Sequence, residues 1–427
     1  MAATAGERFV PAQANTSAAA IPHIEDPESA GFDVQRLGRL DEYLDRCVEM
    51  GLNHGSIIMV AREGRMVHAS TRGMRDPDRG LPVEADTVWR LYSMTKPVTS
   101  VAAMMLWEEG GFAFSDPVAK FIPSFSHTRV YRGGSGSRMR ITPATEPIRI
   151  HHLLTHTAGM TVAGAADGEV DSAYRAAGIP ALGEEDRFSL PDFCDRLASL
   201  PLLFEPGSAW NYSHATDVLG RVIEVVTGSS LDDFMRERIF DPLGMGDTGF
   251  RMPAEDRLAV PYRTDPLTGS LNRLVTPSLS PGESPPLIAG GHGLMSTALD
   301  YYRFVQMLAA GGVYGHKRLL APRTVELMAT NHLPGGATIS AFSHQPARPA
   351  PHLAGRGFGL GFACLLDPVA VGSLSSRGEY GWGGAAGTNF WIDPEKRLTV
   401  VFMMQVMPPP VETWLALRRL VYQALVG

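Results

Sequence analysis

Two hairpin signals near opposite ends of this 427-residue chain restrict its fold more than any other feature. In the first, Ser56-Ile57-Ile58-Met59-Val60-Ala61 and Arg65-Met66-Val67-His68-Ala69 flank Arg62-Glu63-Gly64. In the second, Phe390-Trp391-Ile392 and the apolar run from Leu398 to Met404 flank Asp393-Pro394-Glu395-Lys396. Short apolar runs around such turns read as paired antiparallel strands. Helical spacing lies beside both, in Leu37, Leu40, Leu44, Cys47 and Val48, in Val98, Val101, Ala102, Met105 and Leu106, and in Trp414, Leu417, Val421 and Leu425. Strands from both ends with helices next to them predict an α+β fold, one antiparallel sheet assembled from the two termini.

Between them, His151–Met160, Leu190–Leu200, Thr216–Val226 and Leu231–Phe240 read mainly as helices and connectors. The expected division is an N-terminal arm (1–30), an α/β domain from residues 31–115 plus 290–427, and an inserted, mainly helical domain (116–289). The length exceeds the roughly 100–200 residues of one usual domain. Arg132–Pro147 and Leu333–Gly357, rich in Gly, Ser or Pro, read as long surface loops around a cleft.

Composition removes several classes of function. Hydrophobic residues at 44% and charged residues at 19% exclude a disordered or fibrous chain. A net charge of −7 leaves no basic excess for nucleic acid or anionic lipid. Cys47, Cys194 and Cys364 lie far apart with no C-x-x-C, so neither a disulfide framework nor a zinc ribbon is expected, and a reducing compartment is acceptable. No run approaches the roughly 20 apolar residues of a membrane helix. The first thirty residues lack the basic region and apolar run of a signal peptide. A soluble, cytoplasmic protein is expected.

The main chemical candidate is Ser93-Met94-Thr95-Lys96, at the head of the second helical pattern. Positions i and i+3 share a helix face, so the amine can reach the hydroxyl. Serine is a weak nucleophile without a base, and an amine serves as one only where burial or nearby positive charge lowers its pKa. A helix start adds backbone N–H groups and a positive dipole end, which suit a developing oxyanion. Pro97 is compatible with a first turn. Alone, the tetrapeptide also fits a surface lysine on a capped helix.

Asn211-Tyr212-Ser213-His214 offers a loop tyrosine that could relay a proton beside an ammonium; a tyrosine packed on the core is the competing reading. Gly381-Trp382-Gly383-Gly384-Ala385-Ala386-Gly387-Thr388 runs into a strand, and glycines there let a ligand or backbone come close. The stretch formally matches G-x-G-x-x-A, but a strand follows where the dinucleotide fingerprint needs a helix, so nucleotide binding is rejected. His152 and His156 stand i, i+4 as zinc ligands do. Leu153 occupies the glutamate place of H-E-x-x-H and no third ligand is evident, so structural histidines are expected. Gly133-Gly134-Ser135-Gly136-Ser137 is not G-x-S-x-G, which disfavours an α/β-hydrolase elbow.

In this order, the three segments resemble the penicillin-recognising serine hydrolases, specifically class C β-lactamases and family VIII carboxylesterases. That pattern is Ser-x-x-Lys, a loop Tyr-x-x, and a strand motif of Lys-Thr-Gly or Trp-x-Gly type. The likeness extends to Leu153-Leu154-Thr155-His156-Thr157-Ala158-Gly159-Met160, to Pro242-Leu243-Gly244-Met245 and to Gly290-Gly291-His292-Gly293-Leu294-Met295-Ser296-Thr297, and so across roughly residues 33–425. It implies a β-lactamase-like antiparallel sheet flanked by helices. It implies Ser93 as nucleophile, Lys96 as its base partner, Tyr212 as proton relay, and the backbone N–H groups of Ser93 and Ala385 as oxyanion hole. Trp382, Gly383, Gly384 and His214 would contact substrate, and no metal or organic cofactor is implied.

Two departures shape the expected activity. Trp382 replaces the cationic lysine that meets a β-lactam carboxylate, and an indole makes no charge-assisted contact. His214 replaces the asparagine usual two residues after the tyrosine. The expectation is a serine carboxylesterase acting on neutral, short-chain, small-molecule esters through a Ser93 acyl-enzyme, with water then releasing the acid by the same groups. A β-lactamase or D-alanyl peptidase, an acyltransferase and a non-catalytic scaffold are the alternatives. The oligomeric state is not read from the sequence.

Overall fold

The protein is described from a computed structural model covering residues 21, 23–163, 168–181, 187–275, 279–344 and 353–426. α1 (Val34–Glu49) starts at Asp33, whose carboxylate accepts from the Arg36 N–H at 2.9 Å. Its stripe Leu37, Leu40, Leu44 and Cys47 is buried. β1 (Gly55–Arg62) and β2 (Arg65–Asp76) then form the expected hairpin, closed by Arg62 opposite Arg65. β3 (Leu81–Pro82) and α2 (Thr95–Glu108) follow. The middle of the chain contributes α3 (Leu190–Ser199) and α4 (Ala215–Thr227), and then α5 (Ala298–Ala309). The C-terminal strands are β4 (Arg356–Phe358), β5 (Ala363–Leu365), β6 (Tyr380–Gly383), β7 (Asn389–Asp393) and β8 (Leu398–Met403), before α6 (Val411–Tyr422).

These strands make one eight-stranded sheet, order β4-β5-β6-β7-β8-β1-β2-β3, with every neighbouring pair antiparallel. The two ends of the chain meet at its centre, Ile57 opposite Met403 and Ala61 opposite Thr399. Strand alternation divides β1 between two cores. Ile58 and Val60 join Leu40, Leu44, Leu417 and Val421 of α1 and α6. Ile57, Met59 and Ala61 join Val98 and Val101 of α2 and Phe304 of α5. α2 is buried over Thr95 to Leu106, on every face, because α4 covers the side away from the sheet. Each such aliphatic side chain contributes roughly 1.5–3 kcal/mol.

Several expectations need correction. The helix read over His151–Met160 stops at Leu154, because His156 and Gly159 take left-handed backbone with φ 57° and 84°. The Leu231–Phe240 segment is α-helical only to Met235 and continues as a π-helical turn. Arg132–Pro147 holds half of a small hairpin, Arg129–Tyr131 with Ile141–Pro143. Leu333–Gly357 carries the short helix Ile339–Phe342, and its residues 345–352 lie outside the described residues. α6 ends before Leu425, which instead bridges Phe32. Residues 1–20 of the expected arm lie outside the described residues, but its end belongs to the fold: Glu25 N–H donates to Met66 O at 2.8 Å and Ala30 is buried. Among the described residues no helix is long and apolar enough to cross a membrane.

Candidate active site

Ser93 sits on the 3-10 turn Tyr92–Met94 that leads into α2. Tyr92 has φ 47°, a left-handed backbone costing a bulky residue on the order of 1–3 kcal/mol. Neighbours hold that turn in place. Leu91 N–H donates to Leu294 O at 2.9 Å, the Tyr301 hydroxyl to Met94 O at 2.9 Å, and the Thr388 hydroxyl to Leu91 O at 3.2 Å. The strained turn therefore fixes Ser93 Oγ at the head of a buried helix.

One turn along, Lys96 Nζ lies 3.3 Å from Ser93 Oγ and donates to Gly291 O at 2.7 Å. A neutral amine can keep the second bond while its lone pair accepts the serine proton. Both residues are nearly sealed, at 7% and 6% exposure. Gly290-Gly291 reaches Lys96 only because it lacks side chains: a Cβ at Gly290 would stand 2.7 Å from Thr216 O, and one at Gly291 2.8 Å from the Asp217 carboxylate. Gly291 N–H donates to Asp217 Oδ1 at 2.7 Å, so this segment links Asp217 to Lys96.

Tyr212 enters from the loop before α4. Lys96 Nζ lies over its ring, 4.6 Å from the centroid, in a cation–π contact. Its hydroxyl oxygen accepts from Trp382 Nε1 at 3.4 Å. Tyr212 thus meets the amine by its face, while Trp382 holds its oxygen. His156 packs on the same ring at 4.8 Å and its Nδ1 lies 3.1 Å from Ser213 Oγ. Burial, and then the nearby Lys96 charge, push His156 well below the ordinary imidazole range.

His214 caps α4 and its Nδ1–H donates to Asp217 Oδ2 at 2.9 Å. Burial alone would raise the Asp217 carboxyl, but the His214 hydrogen bond and the charges of His292, His214 and Lys96 hold it at about 2. Ser93, Lys96, Tyr212, His214, Asp217 and Phe193 share the lining of one cavity of about 40 Å³.

Trp382 and Gly383 line a neighbouring cavity of about 90 Å³ with Asn389 and Trp414. Trp382 is the bridge between the two, since its ring also packs on Tyr212 at 5.6 Å. The following turn closes with Gly384 N–H to Thr388 O at 2.7 Å and Gly387 N–H to Gly384 O at 3.0 Å. A Cβ at Gly384 would stand 2.4 Å from Leu91 O. Only glycine lets this turn, which carries Ala385, abut the backbone beside Ser93.

Sequence reasoning missed Asp217 and the Gly291 carbonyl. The available signal for Asp217 was its place three residues after His214 at a helix start, where a side chain can reach back to its cap. For Gly291 none existed, because a main-chain acceptor is invisible in residue type. Among the described residues no group of three or more His, Cys, Asp or Glu side chains could hold a metal ion.

A turn-borne serine hydrogen-bonded to a lysine one helical turn away, with a tyrosine against that lysine and an antiparallel sheet alongside, defines a Ser-x-x-Lys hydrolase. The chain belongs to the Beta-lactamase family, whose model matches residues 40–423. Within that superfamily it is a family VIII esterase. It is 36% identical over 367 residues to protein Rv1367c of Mycobacterium tuberculosis, covering 84% of this chain and 88% of that protein. It is 32% identical over 400 residues to esterase EstB of Burkholderia gladioli, covering 88% and 93%. The solved structure of EstCE1, a hydrolase with promiscuous acyltransferase activity, superposes with a TM-score of 0.74 at 28% identity, covering 91% of this chain and 99% of that one.

Proposed function

We propose that the chain hydrolyses neutral, short-chain carboxylic esters through an acyl-enzyme on Ser93. The observation that carries this is the Ser93–Lys96–Tyr212 cluster around one cavity, a hydroxyl 3.3 Å from an amine that in turn rests on a phenol ring. Lys96, coupled with Tyr212, takes the Ser93 proton as Oγ attacks the ester carbonyl. The backbone N–H groups of Ser93 and Ala385 receive the oxyanion, each contributing about 3–4 kcal/mol. The proton passes by way of Tyr212 to the departing alkoxide, which leaves as the alcohol, and water then releases the acid.

Trp382, Gly383, Gly384 and His214 border the substrate's approach. An apolar indole at position 382 favours an uncharged acyl or alcohol group over a carboxylate. The likeness to EstB, an esterase, agrees with ester chemistry. EstCE1 also raises acyl transfer as a second reading, which product analysis with added alcohol separates from hydrolysis. The three buried thiols, unpaired in the structure, support a reducing compartment, and we place the enzyme in the cytoplasm. The test is turnover of p-nitrophenyl acetate and butyrate beside a cephalosporin. Esters should dominate by orders of magnitude, and faster cephalosporin turnover would reverse the assignment.

A further inference from the structure

His214 carries a buried nitrogen that no described residue uses. Its Nδ1–H is committed to Asp217 Oδ2 at 2.9 Å, while Nε2 is buried without a hydrogen-bond partner among the described residues. A buried imidazole nitrogen left unpaired carries an uncompensated desolvation cost unless something occupies its lone pair. The residue lines the cavity that Ser93, Lys96 and Tyr212 also line, and about 40 Å³ is space for one or two water molecules.

With a carboxylate accepting from Nδ1–H, the neutral imidazole has its bare lone pair at Nε2. Asp217 is fixed in turn by the Gly291 N–H at 2.7 Å and sits at 2% exposure, so the His–carboxylate pair is pre-oriented. A base held in one tautomer by a buried carboxylate, beside an acylated serine, is arranged to take a proton from an incoming nucleophile.

We infer that His214 is the general base of the deacylation half-reaction, acting through Nε2 on the water, or alcohol, that attacks the Ser93 acyl group. The inference rests on the esterase reading above and divides the labour within it: Lys96 and Tyr212 handle the serine proton during acylation, and His214 handles the nucleophile's proton afterwards. Nε2 removes one proton as the water oxygen bonds to the acyl carbon. The tetrahedral intermediate then breaks its bond to Ser93 Oγ, which recovers that proton from His214, and the acid leaves. Asp217 stabilises the transient imidazolium and is a positioning residue.

The experiment is a stopped-flow burst with p-nitrophenyl acetate on wild type, His214→Asn and His214→Ala, with intact mass measured in parallel. Both variants should release about one equivalent of nitrophenol per chain at close to the wild-type burst rate. They should then turn over about 100-fold more slowly, as loss of a general base implies. They should accumulate an acetyl adduct on Ser93, and added imidazole should accelerate the slow phase of His214→Ala. The burst itself reports a folded, acylation-competent site. Steady turnover within threefold of wild type, or loss of the burst together with the turnover, would overturn the role of His214 while leaving the esterase reading intact. Wild type that never acylates Ser93 would overturn both.

Discussion

The indole N–H of Trp382 donates to the phenol oxygen of Tyr212 at 3.4 Å, and the two rings pack with centroids 5.6 Å apart. A residue expected only to meet substrate therefore also holds Tyr212, the proposed proton relay. Trp382→Phe keeps an aromatic ring and removes the donor. It should lower kcat on p-nitrophenyl acetate about fivefold, the worth of one hydrogen bond of about 1 kcal/mol, with little change in KM. Trp382→Ala should lose more and raise KM as well. An unchanged kcat in Trp382→Phe would show that the contact is packing alone.

Ser93 and Lys96 form one unit, so their losses should not add. Ser93→Ala, Lys96→Ala and the double variant should each fall about 10³-fold or more in kcat, all to a similar residual level. Steady-state assays after ruling out misfolding by circular dichroism make the comparison. A double variant far below either single one would separate the two roles.

The turn after β6 offers a backbone test. A Cβ at Gly384 would meet Thr388 Oγ1 at 2.1 Å and Leu91 O at 2.4 Å, so Gly384→Ala must push the Ala385 N–H away from Ser93, the proposed nucleophile. A loss of about 10²–10³-fold in kcat is expected, the cost of one oxyanion donor. Thermal unfolding should shift only modestly by comparison. Wild-type kcat in this variant would place the oxyanion elsewhere.

Acid should destabilise the protein well before carboxylates protonate. Burial, and then the neighbouring His332, lower His151 to about 4; burial, then His151 and Arg149, lower His152 to about 4; His156 lies well below 6.5. Below 6.5 the unfolded chain binds protons that the folded chain refuses. Stability from these groups is therefore present above pH 6.5 and lost as pH falls from 6.5 towards 4. His151 and His152 are partly exposed, so solvent screening reduces their share. Asp217, at about 2 against 3.8 unfolded, adds a second loss as pH falls from about 4 towards 2. Urea midpoints should drop measurably between pH 7.5 and 5, and a flat profile would contradict the buried neutral histidines.

The proposed site residues were legible as candidates because each stands in a local pattern: Ser93 and Lys96 one helical turn apart, Tyr212 before a helical face, Trp382 among glycines ahead of a strand. The sheet was legible from the same local periodicity, and pairing its distant ends needed only the rule that apolar strands must find partners. What escaped was context. Asp217 reads as one more acidic residue on an amphipathic helix until Gly291 and His214 close on it. His156 could not be placed on a loop, because only the neighbouring Phe204 backbone, crossing Gly159, shows why the helix must end. Lys96 meets the face of Tyr212 while its oxygen is taken by Trp382, which lies on a strand far along the chain, and neither contact shows in residue type.

Covalent capture tests the Ser93 acyl-enzyme most directly. The protein is titrated with a p-nitrophenyl alkylphosphonate, residual esterase activity is followed, and the adduct is mapped by tandem mass spectrometry. The expected result is one adduct per chain, on the peptide holding Ser93, with activity lost in proportion and no labelling of Ser93→Ala. An adduct on a different residue, or full activity remaining once Ser93 is fully modified, would refute the mechanism.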